Sequence, residues 1–177
     1  MPNWVFNNLH VEGDPKLIAE FKARAGKPVT DFDGTKERPL SFLNFISPSP
    51  EVDYENDWWG WRIENWGTKW EAHDCELTDD DKNFLGYKFD TAWDCPRNFF
   101  ELVTSQYPKL DFYFEWEEEQ GWGGEGVGGS GVFAITKEWS IPETHAEYVA
   151  LDKQFSCNCA FTDEPEIWFD DCPRAVA

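Results

Sequence analysis

One short segment of the chain places two indole rings beside a cation. Trp66 and Trp70 flank Gly67, Thr68 and Lys69. Glycine permits a tight turn there, the hydroxyl and ammonium groups are donors, and tryptophan faces stack on planar rings and cations. The candidate ligand pocket consists of Trp66, Thr68, Lys69, Trp70 and, from a later predicted strand, Trp93. The alternative interpretation is structural: the tryptophans cover one face of a sheet and Lys69 offsets nearby acids.

Acidic side chains gather in two segments that contain no lysine or arginine. Residues 71–81 hold six acids, and residues 111–125 hold six more. If the strands predicted there are neighbours, their carboxylates form one negative surface, spaced about 4.8 Å across strands and 6.6 Å along them. Such a surface can occupy a groove built for DNA or RNA, whereas the alternative is that the charge only maintains solubility. The candidate partner-binding acids are Asp79, Asp80, Asp81, Glu115, Glu117, Glu118 and Glu119.

The C-terminal part of the chain offers possible ligands for a metal ion. Cys157, Cys159, Cys172 and His145 are four candidate zinc ligands. However, a Cys-x-Cys pair departs from the spacing that is typical of structural zinc sites. An odd total of five cysteines without a secretory signal favours reduced thiols in a cytoplasm. We therefore predict no metal and no cofactor.

The histidines do not belong to a recognisable catalytic motif. His73 and Asp74 next to Cys75 suggest a thiol–imidazole pair, but adjacent residues on a strand point to opposite faces. The acids lack the context that would mark a general acid or base. We predict no catalytic residue, and the sequence leaves open whether the protein is an enzyme.

A run of seven glycines lies between residues 121 and 131. It lacks the Gly-Lys-Ser/Thr ending and the following helix of a phosphate-binding loop, and it contains Glu125. We therefore predict a flexible hairpin connection for this segment.

The charge of the whole chain restricts the class of partner. The formal net charge is −20, from 35 acidic and 15 basic residues. Phosphates and anionic lipid are repelled by such a protein, so we expect no direct binding to nucleic acid or to a membrane. No apolar run approaches the roughly 20 residues of a membrane span. A protein with a basic surface is the expected partner, and the cytoplasm is the expected location.

The elements that position these residues follow from alternation and from helix caps. Alternating residues predict strands at 3–11, 70–77, 85–93, 110–117 and 132–137. Asp14 and Pro15 begin one helix, which Gly26 ends, and Pro96 precedes a second helix. Between these elements we predict a loop at 27–39, a tryptophan-rich insertion at 51–66 and a turn at 78–81.

This order predicts an α+β fold of the ferredoxin-like βαββαβ type. The antiparallel sheet carries two helices on one face, and the other face is open or covered by the tryptophan-rich insertion. Residues 1–137 form the domain, which includes an extra strand. Residues 138–177 form an acidic C-terminal extension that packs on the domain or flanks it.

Four short motifs resemble a known family. They are Met1-Pro2-Asn3-Trp4 with Asn7 or Asn8; Asn65-Trp66-Gly67-Thr68-Lys69-Trp70; Phe89-Asp90-Thr91-Ala92-Trp93-Asp94-Cys95-Pro96; and Glu119-Gln120-Gly121 followed by Gly126. Their order over residues 1–137 resembles the YubB-type ferredoxin-like domain family of phage and plasmid proteins. The resemblance implies the fold and a mobile-element setting, and it implies no catalytic residues.

Two functional hypotheses follow from these patterns. The first is a non-enzymatic phage or plasmid accessory protein whose acidic surface inhibits a host defence or nucleic-acid-handling protein, for example a nuclease, with nucleic-acid mimicry as one mode of action. The second is a module that binds a small ligand or a nucleotide signal in the tryptophan–lysine pocket. Salt separates them, because an acidic mimic loses its partner as salt rises, whereas a stacking pocket loses less of its affinity.

Overall fold

The computed structural model describes residues 3–31 and 34–141. Six antiparallel strands form the main sheet, in the order β4-β5-β1-β6-β7-β8. The strands are β1 (Trp4–Gly13), β2 (Val29–Asp31), β3 (Gly34–Lys36), β4 (His73–Asp81), β5 (Phe84–Ala92), β6 (Leu110–Glu118), β7 (Gly123–Gly129) and β8 (Val132–Trp139). The helices are α1 (Pro15–Ala25), α2 (Tyr54–Trp66) and α3 (Arg97–Gln106), with one 3-10 turn at Phe42–Asn44.

A ferredoxin-like core lies within this sheet. The elements β1, α1, β4, β5, α3 and β6 follow the predicted βαββαβ order, and their strands lie side by side as β4-β5-β1-β6. Both α1 and α3 pack on one face of the sheet. The predicted α+β ferredoxin-like fold is therefore confirmed, and β7 and β8 extend the sheet beyond β6.

Local sequence signals explain where the first two elements begin and end. In β1 the side chains of Val5, Asn7, Leu9 and Val11 are buried beneath the helices, and those of Phe6, Asn8 and His10, which alternate with them, are partly exposed. The carboxylate of Asp14 accepts a hydrogen bond from the Lys16 backbone N–H at 2.9 Å, which caps α1 as predicted. The alternation and the cap together fix which face of the sheet receives the helices.

Aromatic rings fill much of the core between the helices and the sheet. Phe42 lies 4.2 Å from Phe99 between ring centroids, and Phe100 lies 4.0 Å from Phe114. Each large ring removes roughly 150–250 Å² from water, so a few rings can replace many branched aliphatic side chains. The high aromatic content of the chain is therefore used mainly in packing.

The glycine-rich run is a strand rather than a flexible connection. The prediction for this segment was wrong, because Gly123–Gly129 forms β7 and pairs with both β6 and β8. A side chain at Gly126 would come within 2.6 Å of the Phe133 ring, and one at Gly128 would collide with Thr104. Glycine is required here because neighbouring side chains pack directly on the strand backbone.

Two other segments differ from the sequence prediction. The strand expected to stop at residue 77 continues through Asp81, and the expected loop at 27–39 contains the β2–β3 hairpin. The tryptophan-rich insertion forms α2, which contacts α3 on the helical side of the sheet and does not cover the opposite face. An edge strand tolerates a row of exposed acids, because one side of it faces solvent.

The end of β8 lies close to the predicted domain boundary. This strand continues to Trp139, two residues beyond the predicted end at 137. Residues 142–177 of the predicted acidic extension lie outside the described residues. Within the described ranges, none of the helices has the length and apolarity needed to cross a bilayer.

Candidate functional site

The sheet face opposite α1 and α3 carries a large excess of acids. Residues paired across antiparallel strands point to the same side, so the strand register identifies which side chains share this face. Nine carboxylates lie on it: Glu12, Glu76, Asp79, Asp81, Asp90, Asp111, Glu115, Glu117 and Glu125. Two lysines, Lys88 and Lys137, share it. We call this side of the sheet the acidic face.

Three aromatic side chains lie toward one end of the acidic face. The His10 ring lies 5.4 Å from Phe84 and 6.0 Å from Tyr113, between ring centroids, and all three are half-buried. At one end of the face, four exposed acids lie next to these rings: Glu12, Asp79, Asp81 and Asp111. Aromatic side chains bordered by charged ones are typical of a protein-binding surface.

The two predicted acidic strands are not neighbours. The strands β5 and β1 lie between β4 and β6, so the acids of the two segments are about 14 Å apart across the sheet. The premise that they pair directly was wrong, because the ferredoxin-like order places β1 and β5 in the middle. The negative face exists nevertheless, since Glu12 and Asp90 lie on these two middle strands.

The structure divides the predicted acids between several environments. Asp79, Asp81, Glu115 and Glu117 lie on the acidic face. Glu117 is buried there. The remaining three lie elsewhere: Asp80 forms an ion pair with Lys22 of α1, Glu118 is buried and accepts a hydrogen bond from the Gln120 backbone N–H, and Glu119 is exposed just after β6.

The candidate acids chosen from the sequence omitted several members of the same surface, although Glu76 and Asp111 lie in the acidic segments 71–81 and 111–125. Glu12 and Asp111 are register partners at one end of β1 and β6, and Glu76 is the register partner of Lys88 between β4 and β5. Glu12 lies one residue beyond the predicted end of the first strand, so extending the alternation by one position would have found it. The others depend on which strands are adjacent, which no local pattern reveals.

A lysine surrounded by tryptophans lies at another edge of the molecule. The Lys69 Nζ atom is 4.4 Å from the Trp93 ring centroid, 5.6 Å from Trp59, 5.9 Å from Trp70 and 6.0 Å from Trp58. These distances are within the range of cation–π attraction. We call Trp58, Trp59, Lys69, Trp70 and Trp93 the tryptophan–lysine cluster.

Backbone geometry explains how the cluster forms. The helix α2 ends at Gly67, whose φ of +86° is the left-handed conformation that favours glycine at a helix C-terminus. The Thr68 hydroxyl then donates to the Ala92 carbonyl at 3.0 Å, which ties this segment to the end of β5. Lys69 is thereby brought next to Trp93, the residue that follows β5.

Only part of the predicted pocket faces solvent. Trp66 and Thr68 are fully buried, and Trp66 packs against Phe42 in the core at 5.6 Å. The structure places Lys69, Trp70 and Trp93 close together, and Trp58 and Trp59 complete the cluster. The signal for these two residues was the tryptophan-rich insertion, although its packing partner was not evident from the sequence.

The cluster has two unusual properties for a surface site. Trp59 is 51% exposed and Trp93 is 47% exposed, which is high for such large apolar side chains. Within residues 3–31 and 34–141, no carboxylate forms an ion pair with Lys69, although the chain is strongly acidic. The ammonium group and two ring faces are therefore available to an added ligand.

The described thiols are unsuited to nucleophilic chemistry. Burial raises the pKa of both Cys75 and Cys95 to about 12, so both are protonated at neutral pH. The His73 ring packs on Trp4, while Cys75 packs against the core, so these two do not form a thiol–imidazole pair. The four candidate zinc ligands Cys157, Cys159, Cys172 and His145 lie outside the described residues.

Comparison with known proteins agrees with the fold. Residues 65–128 match the family model described as the ferredoxin-like domain in Api92-like protein. That segment carries a ferredoxin-like domain similar to the one in Api92-like proteins. It spans β4, β5, α3 and β6 together with most of β7.

One solved structure is also similar to this chain. It is the crystal structure of a protein api92 from Yersinia pseudotuberculosis, with 10% sequence identity and a TM-score of 0.49. The match covers 81% of this chain and 100% of that chain. No curated protein matches the chain.

Proposed function

We propose that the protein is a non-enzymatic binding module that captures a basic surface of another protein on its acidic face. The observation that carries the proposal is the presence of nine carboxylates and two lysines on one side of the sheet. The motifs that resemble phage and plasmid proteins support a host nuclease or defence protein as the target, in the host cytoplasm. The binding would inhibit that target by occupying its nucleic-acid groove.

Sheet geometry gives the acidic face a spacing that suits this role. Carboxylates on neighbouring strands are about 4.8 Å apart, and those two residues apart on one strand are about 6.6 Å apart. Phosphates of a nucleic acid form similarly dense rows of negative charge. Like charges at this density repel each other, and a basic partner relieves the repulsion while it is steered to the site.

The three aromatic rings add a contribution that charge alone does not provide. His10, Phe84 and Tyr113 are half-buried in the free chain, so part of their surface remains to be covered. Burying apolar surface contributes about 25 cal/mol per Å², and this contribution is insensitive to salt compared with the charged rim. We therefore expect salt to weaken the complex without abolishing all affinity.

The proposal is tested with two variants that neutralise the same number of acids at different places on the molecule. The face variant neutralises four exposed acids of the acidic face: Glu12→Gln, Asp79→Asn, Asp81→Asn and Asp111→Asn. The helical-side variant neutralises four exposed acids on α1, α2 and α3: Glu20→Gln, Glu55→Gln, Glu64→Gln and Glu101→Gln. Both variants have the same net charge, so a difference between them reports location.

Tagged wild type and both variants are used in parallel pull-downs from host lysate, with washes of rising salt. We expect a basic protein to bind wild type and the helical-side variant and to elute as salt rises. The face variant should lose it, because four rim charges contribute together about 1–4 kcal/mol, or roughly fivefold to several hundredfold in affinity. Equal retention by both variants would contradict the proposal.

The tryptophan–lysine cluster supports a second candidate function, the binding of a small planar anion such as a nucleotide signal. The specific observation is an ammonium group that contacts four indole rings and has no carboxylate partner in the described part of the chain. A base can stack on the exposed Trp59 or Trp93 ring while its phosphate pairs with Lys69.

Tryptophan fluorescence titration with a panel of nucleotides tests this second function. Lys69→Met and Trp93→Ala should each weaken binding by about 1–3 kcal/mol. Lys88→Met is the matched control, because Lys88 is an exposed lysine on the acidic face, away from the cluster. If no nucleotide changes the fluorescence, or if the control weakens binding equally, the second function is wrong.

A further inference from the structure

Three side chains with metal-binding atoms converge at the start of β4. His73 is the register partner of Asp90, so both side chains lie on the acidic face at its tryptophan-rich edge. One donor atom from each of His73, Asp74 and Asp90 lies within 4.8 Å of the other two. The Nδ1 atom of His73 is 3.3 Å from a carboxylate oxygen of Asp74.

The strand geometry explains why three residues that are not evenly spaced meet at one point. The pairing of β4 with β5 shifts register between His73 and Glu76, and Asp74 adopts a φ of +42° at that shift. A shift of this kind re-aims a side chain that would otherwise point to the other face. It explains how Asp74 lies beside His73 although the two are adjacent in sequence.

The His73 imidazole also packs against the ring of Trp4. The Trp4 ring lies 4.9 Å from the His73 ring, with 35° between the planes. Trp4 in turn contacts Trp70 at 5.4 Å, so the histidine is attached to a packed aromatic layer. A ligand that is oriented before binding loses less entropy when an ion arrives.

The electrostatic balance of the cluster favours an added cation. Asp90 is half-buried, and this burial together with the negative charge of Asp74 raises the pKa of its carboxyl. The neighbouring His73 acts in the opposite direction and lowers the same pKa. A divalent ion among the three groups would offset both the burial and the repulsion.

We propose that His73, Asp74 and Asp90 bind a divalent first-row transition-metal ion, such as Mn²⁺. One imidazole nitrogen and two carboxylate oxygens form a mixed nitrogen and oxygen donor set that suits these ions. Bond lengths near 2.1 Å place neighbouring octahedral donors about 3.0 Å apart. The His73 and Asp74 donors, 3.3 Å apart, are close to this spacing, and the other pairs, within 4.8 Å, reach it by side-chain rotation. Three protein ligands leave further positions for water.

This site lies on the acidic face, but at a distance from the exposed acids that the face variant neutralises. The exposed rim residues Asp81 and Glu12 lie at the opposite end of the strands from His73. A metal would reduce the negative charge at one edge only, so either proposal can fail without affecting the other.

In the test, Mn²⁺ is titrated into the full chain, and the decrease in the electron paramagnetic resonance signal of the free ion measures binding. Manganese is chosen because the thiols of the chain prefer softer ions such as zinc. We expect one saturable site in wild type. His73→Gln and Asp90→Asn should each weaken it at least tenfold, and Glu101→Gln, at an exposed acid on α3, should leave it unchanged.

A second measurement locates the ion. Bound Mn²⁺ broadens nearby nuclear magnetic resonance signals, so the indole N–H of Trp4 should broaden at substoichiometric metal. The Trp4→Phe variant identifies that signal, and Asp74→Asn serves as a further ligand variant if Asp90→Asn fails to fold. Absence of saturable binding, or equal affinity in wild type and all ligand variants, would overturn the proposal.

Discussion

Replacing glycines of β7 by alanine should destabilise the protein according to what each new methyl group meets. A Cβ at Gly124 would lie 2.7 Å from Cε2 of the Trp116 ring and 2.9 Å from the Lys137 carbonyl oxygen. Trp116 is 1% exposed, so its ring cannot swing into solvent, and the carbonyl is part of β8. A Cβ at Gly129 meets only the exposed Asp111 carboxylate, at 3.1 Å.

The expected magnitudes follow from these contacts. Overpacking a closed site costs about 1–3 kcal/mol, and moving a paired strand adds to that cost, so Gly124→Ala should lose about 2–4 kcal/mol. Gly129→Ala should be within about 1 kcal/mol of wild type, because Asp111 can rotate and alanine restricts the unfolded chain. Urea unfolding followed by tryptophan fluorescence gives both free energies of unfolding. Equal stabilities of the two variants would refute the packing of rings on β7.

Three further outcomes are expected. Burial raises the pKa of the Glu71 carboxyl above 4.5, so the folded state keeps this proton at pH values where the unfolded state has lost it, and the contribution of Glu71 to stability falls as pH rises. Between pH 5 and pH 7, the free energy of unfolding of Glu71→Gln in urea should therefore rise relative to that of wild type. A difference that stays constant between the two pH values would contradict this. Alkylation at pH 8, followed by mass spectrometry, should leave Cys75 and Cys95 unmodified until urea unfolds the protein. Rapid labelling of either of these two thiols in the folded chain would contradict their burial. Asn7→Ala should cost about 1–3 kcal/mol in urea unfolding, because the buried amide donates to Val5 and Phe89 carbonyls, and a neutral result would contradict that role.

The sequence predicted the elements whose signals are local. Alternation located β1 and β6, and Asp14 with Pro15 located the start of α1. The strand β7 was missed because glycine normally indicates flexibility. The glycines of β7 are required by side chains of β6 and β8 that pack on its backbone. Similarly, three consecutive acids at the end of β4 indicate a turn in isolation, and their place on an edge strand becomes evident only from the strand order.

The same division applies to the candidate sites. Lys69, Trp70 and Trp93 were identified because their residue types are unusual together, whereas Trp58 joins them through the packing of α2. The acidic segments were visible in the sequence, but the side of the sheet that each acid occupies depends on register. The cluster that includes Asp90 was missed, because it depends on a register shift that no sequence pattern marked.

The central claim is that the acidic face competes with nucleic acid for a basic protein, and displacement of DNA measures this most directly. The protein captured in the pull-down is purified and bound to fluorescent duplex DNA, and each variant is then titrated in. Wild type and the helical-side variant should release the DNA, and the face variant should need roughly ten times more protein to do so. Release by the face variant at the wild-type concentration, or binding of the chain without release of DNA, would contradict the account.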